Sequence, residues 1–144
     1  MSVICQAKEA RKIKEFGDEG CEYFYTYLRD GVIESYQNPS SKVVVIVYEG
    51  AHRNSYATST GKLEFRIESP RKGEAEARIR MMRWKMEDAK YPPDLFHFQL
   101  GGFRERYSVE IWIVPAGAIP PKPTPTLREM TFRKGRIAAH RCSV

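Results

Sequence analysis

Five consecutive β-branched residues, Val43-Val44-Val45-Ile46-Val47, constrain this chain more than any other feature. A strand turns successive side chains to opposite faces, so this run is apolar on both. It belongs mid-sheet, flanked by other strands and covered on both sides. A chain of 144 residues, 42% apolar and 29% charged, can bury such a strand in one globular core and has no room for two.

The elements around the run follow from periodicity and turn chemistry. Residues 3–16 predict a short amino-terminal helix, with Val3, Ala7 and Ala10 at helical spacing, stopped by Gly17-Asp18-Glu19-Gly20. Glu22–Leu28 and Val32–Tyr36 are rich in strand-favouring residues, and Asp30-Gly31 between them predicts a tight hairpin. Tyr23, Tyr25 and Tyr27 would then share one strand face. Residues 49–61 predict a polar loop. In Lys62–Glu68 the residues alternate, so Leu63, Phe65 and Ile67 are expected to face inward on a half-solvated strand.

Ser69-Pro70 predicts a helix start, and Ala75, Ile79, Met82, Met86 and Ala89 form one apolar stripe down that helix. Leu95–Leu100 and Arg104–Val114 predict a second hairpin turning at Gly101-Gly102. Five of the nine prolines then fall between positions 115 and 125, which excludes sheet interior and predicts an extended spacer. The expected class is α+β: a largely antiparallel twisted sheet of about six strands, one long helix packed on it, the short amino-terminal helix and a Pro-rich basic tail. Residues 1–115 would form the domain and residues 116–144 the spacer and tail.

Charge is unevenly placed. From Pro121 onward there are six basic residues and one acid, a net +5 of the chain's +6, which leaves the body nearly neutral. A cationic tail attracts polyanions by displacing their counterions. No stretch matches the length of a membrane-spanning helix, and the first residues lack the apolar core of a secretory signal. Cys5, Cys21 and Cys142 are odd in number and widely spaced, which fits a reducing compartment better than a disulfide framework or a zinc site. Cys142, in the polar tail, is the expected exposed thiol. No cofactor or metal is implied.

Trp84 lies opposite the apolar stripe of its helix, with Arg80 one turn before it and Lys85 beside it. An outward aromatic among cations suits base stacking. With Tyr25 and the tail residues Arg128, Arg133, Lys134 and Arg136, these residues form the expected nucleic-acid-binding set. The leading expectation is a small intracellular module that binds RNA or single-stranded DNA without catalysis, in the cytoplasm, or the nucleus of a eukaryote. The alternative is a protein–protein adaptor or homo-oligomer whose partner covers Met81 and Trp84.

An enzyme reading rests on other residues. If Gly101-Gly102 were a two-residue loop, His97 would face Arg106, with Glu110 on the same side; an imidazole beside a cation is pushed towards neutrality and can act as a base. The polar loop His52–Thr60 has several donors but lacks a phosphate-cradling glycine pattern. A nuclease reading would draw on Lys62, Glu64 and Glu68. Arg29, Ser59-Thr60 and Glu110 before Ile-Trp-Ile-Val-Pro loosely resemble, in their order, the mono-ADP-ribosyltransferases, which would imply a small transferase. Position 108 is serine where that family usually has glutamine or glutamate.

Overall fold

The computed structural model describes residues 9–18 and 21–137. The fold is α+β, with a five-stranded curled sheet and two helices, in the order β1 (Arg11–Phe16), α1 (Cys21–Gln37), β2 (Lys42–Ala57), β3 (Leu63–Glu68), α2 (Glu74–Asp88), β4 (Phe96–Arg106) and β5 (Ser108–Val114). Strand β2 is the spine. Its first part pairs antiparallel with β5 and parallel with β4, and its second part pairs antiparallel with β3. Strand β1 adds to the far side of β5, antiparallel. The parallel β2–β4 pairing is possible because β3 and α2 intervene and carry the chain back.

The apolar run sits where its pattern demands. Val43, Val45 and Val47 face α1 and α2, in a core with Val109, Ile111, Ile113, Met82 and Phe98. Val44, Ile46 and Tyr48 face the other side, with Val114, Trp112 and Ala118.

Residues 22–36 are not a hairpin but the helix α1. Phe24, Leu28, Val32 and Ser35 recur at helical spacing, and all four are buried. Burying Phe24, Leu28 and Val32 contributes about 1.5–3 kcal/mol each, more than strand propensity can offer locally. Gly31 is a contact point rather than a turn: a Cβ there would lie 3.1 Å from Val43 Cγ1 and 3.3 Å from Ile111 Cγ2, so its bare backbone lets the helix settle on the sheet.

Residues 11–16, expected to be helical, form the edge strand β1; the rest of that expected helix lies largely outside the described residues, as do Cys5 and Cys142. Strand β2 runs through residues 49–57, expected to be loop. Helix α2 begins later than Pro70, with Gly73 at its N-cap in the left-handed region (φ 88°). Gly73 has no side chain to cap the helix, and the buried Glu49 carboxylate does so from β2, accepting the Ala75 N–H at 3.1 Å. Ala75, Ile79, Met82 and Met86 are buried as their spacing predicts, while Ala89 is exposed.

Gly101-Gly102 lies inside β4 and turns nothing. A Cβ at Gly101 would overlap the Tyr48 ring, and Gly102, at φ 95°, lies beneath Pro125. The chain reverses at Tyr107 instead, whose N–H donates to Ala51 O at 2.9 Å. Leu63, Phe65 and Ile67 of β3 do not face inward; they are 58%, 54% and 53% exposed. The β2–β3 ribbon extends past the core, and its opposite face carries the bonding: Tyr56, Asn54 and Arg133 all reach Glu68.

The proline-led segment is extended, as its composition predicts, but not detached. Thr126 and Leu127 N–H donate to Phe103 O at 2.9 and 3.1 Å, and Arg133 N–H donates to Pro70 O at 2.8 Å. Near the end of the described residues, Arg133 makes a single bridge with Arg71.

Candidate nucleic-acid interface

Three of the expected stacking residues converge where α1 and α2 lie side by side. Lys85 Nζ sits 5.0 Å from the Tyr25 ring and 5.1 Å from the Trp84 ring, a cation between two aromatics. The cleft here, about 290 Å³, is lined by Tyr25, Thr26, Arg29, Lys85, Met86 and Tyr91 among others. Tyr25 holds its place edge-on to the core residue Phe24, ring centroids 5.2 Å apart, and burial raises its phenol pKa, keeping the hydroxyl protonated. Trp84 is 52% exposed, and Arg80 and Arg83 flank it, both exposed. Helical geometry explains the convergence: Tyr25 and Arg29 are one turn apart on α1, as are Arg80 and Trp84 on α2.

Tyr25 does not share a face with Tyr23 and Tyr27, because a helix sends alternate residues in different directions. Tyr27 packs on Phe16 with 5.0 Å between centroids, Tyr36 is exposed, and Tyr48 is fully buried on the far side of the sheet.

The tail cations lie elsewhere. Arg133 pairs with Glu68, while Arg128, Lys134 and Arg136 are exposed. Arg71 Nε reaches Lys134 O at 3.5 Å, and Ile137 Cδ1 stands 3.3 Å from where a Gly73 Cβ would be, which places Lys134 and Arg136 near the start of α2, while Arg128 follows Leu127, bridged to Phe103 of β4. Trp84 is eleven residues further on, about 16 Å along the axis. Arg80 lies between.

The enzyme-like residues are dispersed. His97 pairs with Val44 and is exposed, whereas Arg106, at the other end of β4, pairs with Ala51 and binds Asp18 at 2.7 Å. Glu110 is buried on the sheet face away from the helices. There Tyr48 Oη donates to its Oε1 at 2.9 Å, and Arg104 Nη2 donates to its Oε2 at 3.1 Å. Lys12 adds a contact at 3.6 Å. Arg104 lies flat on the Tyr48 ring, 3.4 Å from its centroid, and also donates to Thr124 Oγ1 at 2.7 Å. This is a saturated structural network. Arg29 sits exposed on α1, across the sheet from Glu110, and Ser59-Thr60 occupy the ribbon turn.

A second polar cluster was not anticipated: Glu49, His52 and Glu74, all buried at the start of α2. His52 Nδ1 stands 3.4 Å from Glu74 Oε2, yet neither atom has a hydrogen-bond partner. Burial is the largest influence on His52 and holds its pKa below 6.5; nearby Glu74 opposes this without reversing it. Burial likewise raises Glu49 above 4.5, against the opposing Ala75 N–H. The available signal is that Glu49 and His52 directly follow the apolar run Val43–Val47, where the strand continues.

Among the described residues, no group of three or more His, Cys, Asp or Glu side chains is placed to hold a metal ion, and no helix is long and apolar enough to cross a membrane. Compared with protein-family models, curated proteins and solved structures, the chain matches none.

Proposed function

We propose that this protein binds single-stranded nucleic acid, RNA or DNA, across its helical face, with a base stacking on Trp84 and phosphates held by Arg80, Arg83, Lys85 and Arg29. The observation carrying this reading is the Tyr25–Lys85–Trp84 arrangement, which offers an exposed π-face beside fixed cations. The tail contributes less than its charge suggests: Arg133 is committed to Glu68, leaving Lys134 and Arg136 as a second anchor near the start of α2 and Arg128 exposed after the bridge to Phe103. Met81 is half-buried against the core, which leaves Trp84 as the large apolar side chain exposed on α2 among the described residues.

Titration of a fluorescent oligonucleotide at rising salt tests the proposal. Affinity should fall linearly on a log–log plot, and Trp84→Ala should weaken binding by about 1–3 kcal/mol, the contribution of one stacked base. No binding at low salt, or a Trp84→Ala variant that binds as tightly as the parent, rejects the reading.

A further inference from the structure

The β2–β3 ribbon presents two features that proteins usually avoid together. Its apolar side chains Leu63, Phe65 and Ile67 stand exposed in a row. Strand β3 pairs with β2 alone, and no backbone hydrogen bond reaches its other edge among the described residues. An open edge bearing an apolar face is a template for another strand.

The sequence of the edge specifies which strand. Lys62-Leu63-Glu64-Phe65-Arg66-Ile67-Glu68 is complementary to itself when reversed. With Phe65 opposite Phe65 of a second copy, Leu63 meets Ile67, Glu64 meets Arg66 and Lys62 meets Glu68. Every apolar residue then faces an apolar one and every charge faces its opposite. Neighbouring antiparallel registers fail. A shift of one position sets the apolar face against the polar one. A shift of two places Glu64 opposite Glu64, or Arg66 opposite Arg66, at the closest point of the pairing.

We infer that β3 pairs antiparallel with β3 of a second copy of this chain about a two-fold axis through Phe65, joining the two ribbons into a four-stranded sheet. The two-fold makes each complementary pair occur twice, as an isologous interface requires. Pairing would exchange existing contacts of Glu64 and Arg66: they lie 3.8 Å apart in one chain and Arg66 stands 4.8 Å from the Tyr56 ring centroid, yet both are more than half exposed. The proposal is independent of nucleic-acid binding, because β3 and Trp84 lie on different elements.

Charge exchange tests it on the whole chain by analytical ultracentrifugation. The parent should sediment as a dimer whose mass falls on dilution. Glu64→Arg sets two Arg–Arg pairs across the axis, and Arg66→Glu sets two Glu–Glu pairs; each variant alone should be monomeric. The double variant Glu64→Arg/Arg66→Glu restores opposite charges and should dimerise. An equal mixture of the two single variants should form a heterodimer. A parent that stays monomeric up to roughly millimolar concentration overturns the inference. So does a dimer that survives both single changes, or a double variant and a mixture that both fail to associate while circular dichroism shows them folded.

Discussion

Strand β2 is two strands in one, and its halves follow opposite rules. From Val43 to Gly50 every residue is buried; from Arg53 to Ala57 the exposed residues alternate with half-buried ones. The first half has β5 and β4 beside it and a cover on each face, so its side chains are apolar from Val43 to Val47, and the one carboxylate, Glu49, is buried against the start of α2. The second half has β3 alone. It is held by side-chain bonds, such as Asn54 and Tyr56 to Glu68, and by Arg53 stacked 4.6 Å from the Phe65 ring centroid. The first half therefore supplies stability, and the second is free to be spent on recognition.

Substitutions along this boundary should separate the halves by magnitude. The largest effect belongs to Val45→Asp, which places an unpaired carboxylate where no water reaches. It should cost more than about 4 kcal/mol, a large share of what a domain of this size possesses, and denaturant melts should show no cooperative transition. His52 stands at the junction and gives an intermediate, pH-dependent effect. Its folded pKa lies below 6.5, so the folded state binds fewer protons than the unfolded chain; stability is intact above pH 6.5 and declines as pH falls below it. Glu49 acts in the opposite sense: its raised pKa gives stability below pH 4.5 that is lost as pH climbs through the folded value. His52→Gln should flatten the decline between pH 7.5 and 5.5, read as the difference between melts at the two pH values. The smallest effect is expected at Phe65→Ser, under about 1 kcal/mol in melts of the monomer, because more than half of the side chain is already in water and its ring contact is with the exposed Arg53. A large destabilisation there would show that the ribbon belongs to the core after all.

Much of the core half was legible from sequence, because a β-branched run and a helical apolar stripe leave few alternatives. The α+β class, the central place of Val43–Val47 and the buried line Ala75-Ile79-Met82-Met86 all follow from those patterns. The errors cluster at glycines. Asp30-Gly31 has hairpin chemistry, yet Gly31 serves close packing of α1 on Val43 and Ile111. Phe24, Leu28 and Val32 also have helical spacing, but tyrosine and threonine content favours a strand there. Gly101-Gly102 predicts a turn because nothing local reveals that the ring of Tyr48, over fifty residues earlier, needs the space. The expected His97–Arg106 pairing depends on that turn and falls with it. For the interface, Trp84 and Lys85 were found from α2 alone. Tyr25 joined them for a reason sequence reasoning did not contain, since its position depends on two helices meeting.

The segment beyond Val114 lies across Tyr48 and is tied to Phe103, so its resting place is made from β2, β4 and β5 together. Those anchors are in place only where the strands are assembled, so removing the segment would strip cover from Val44, Ile46 and Trp112 and open that apolar face of the sheet to water.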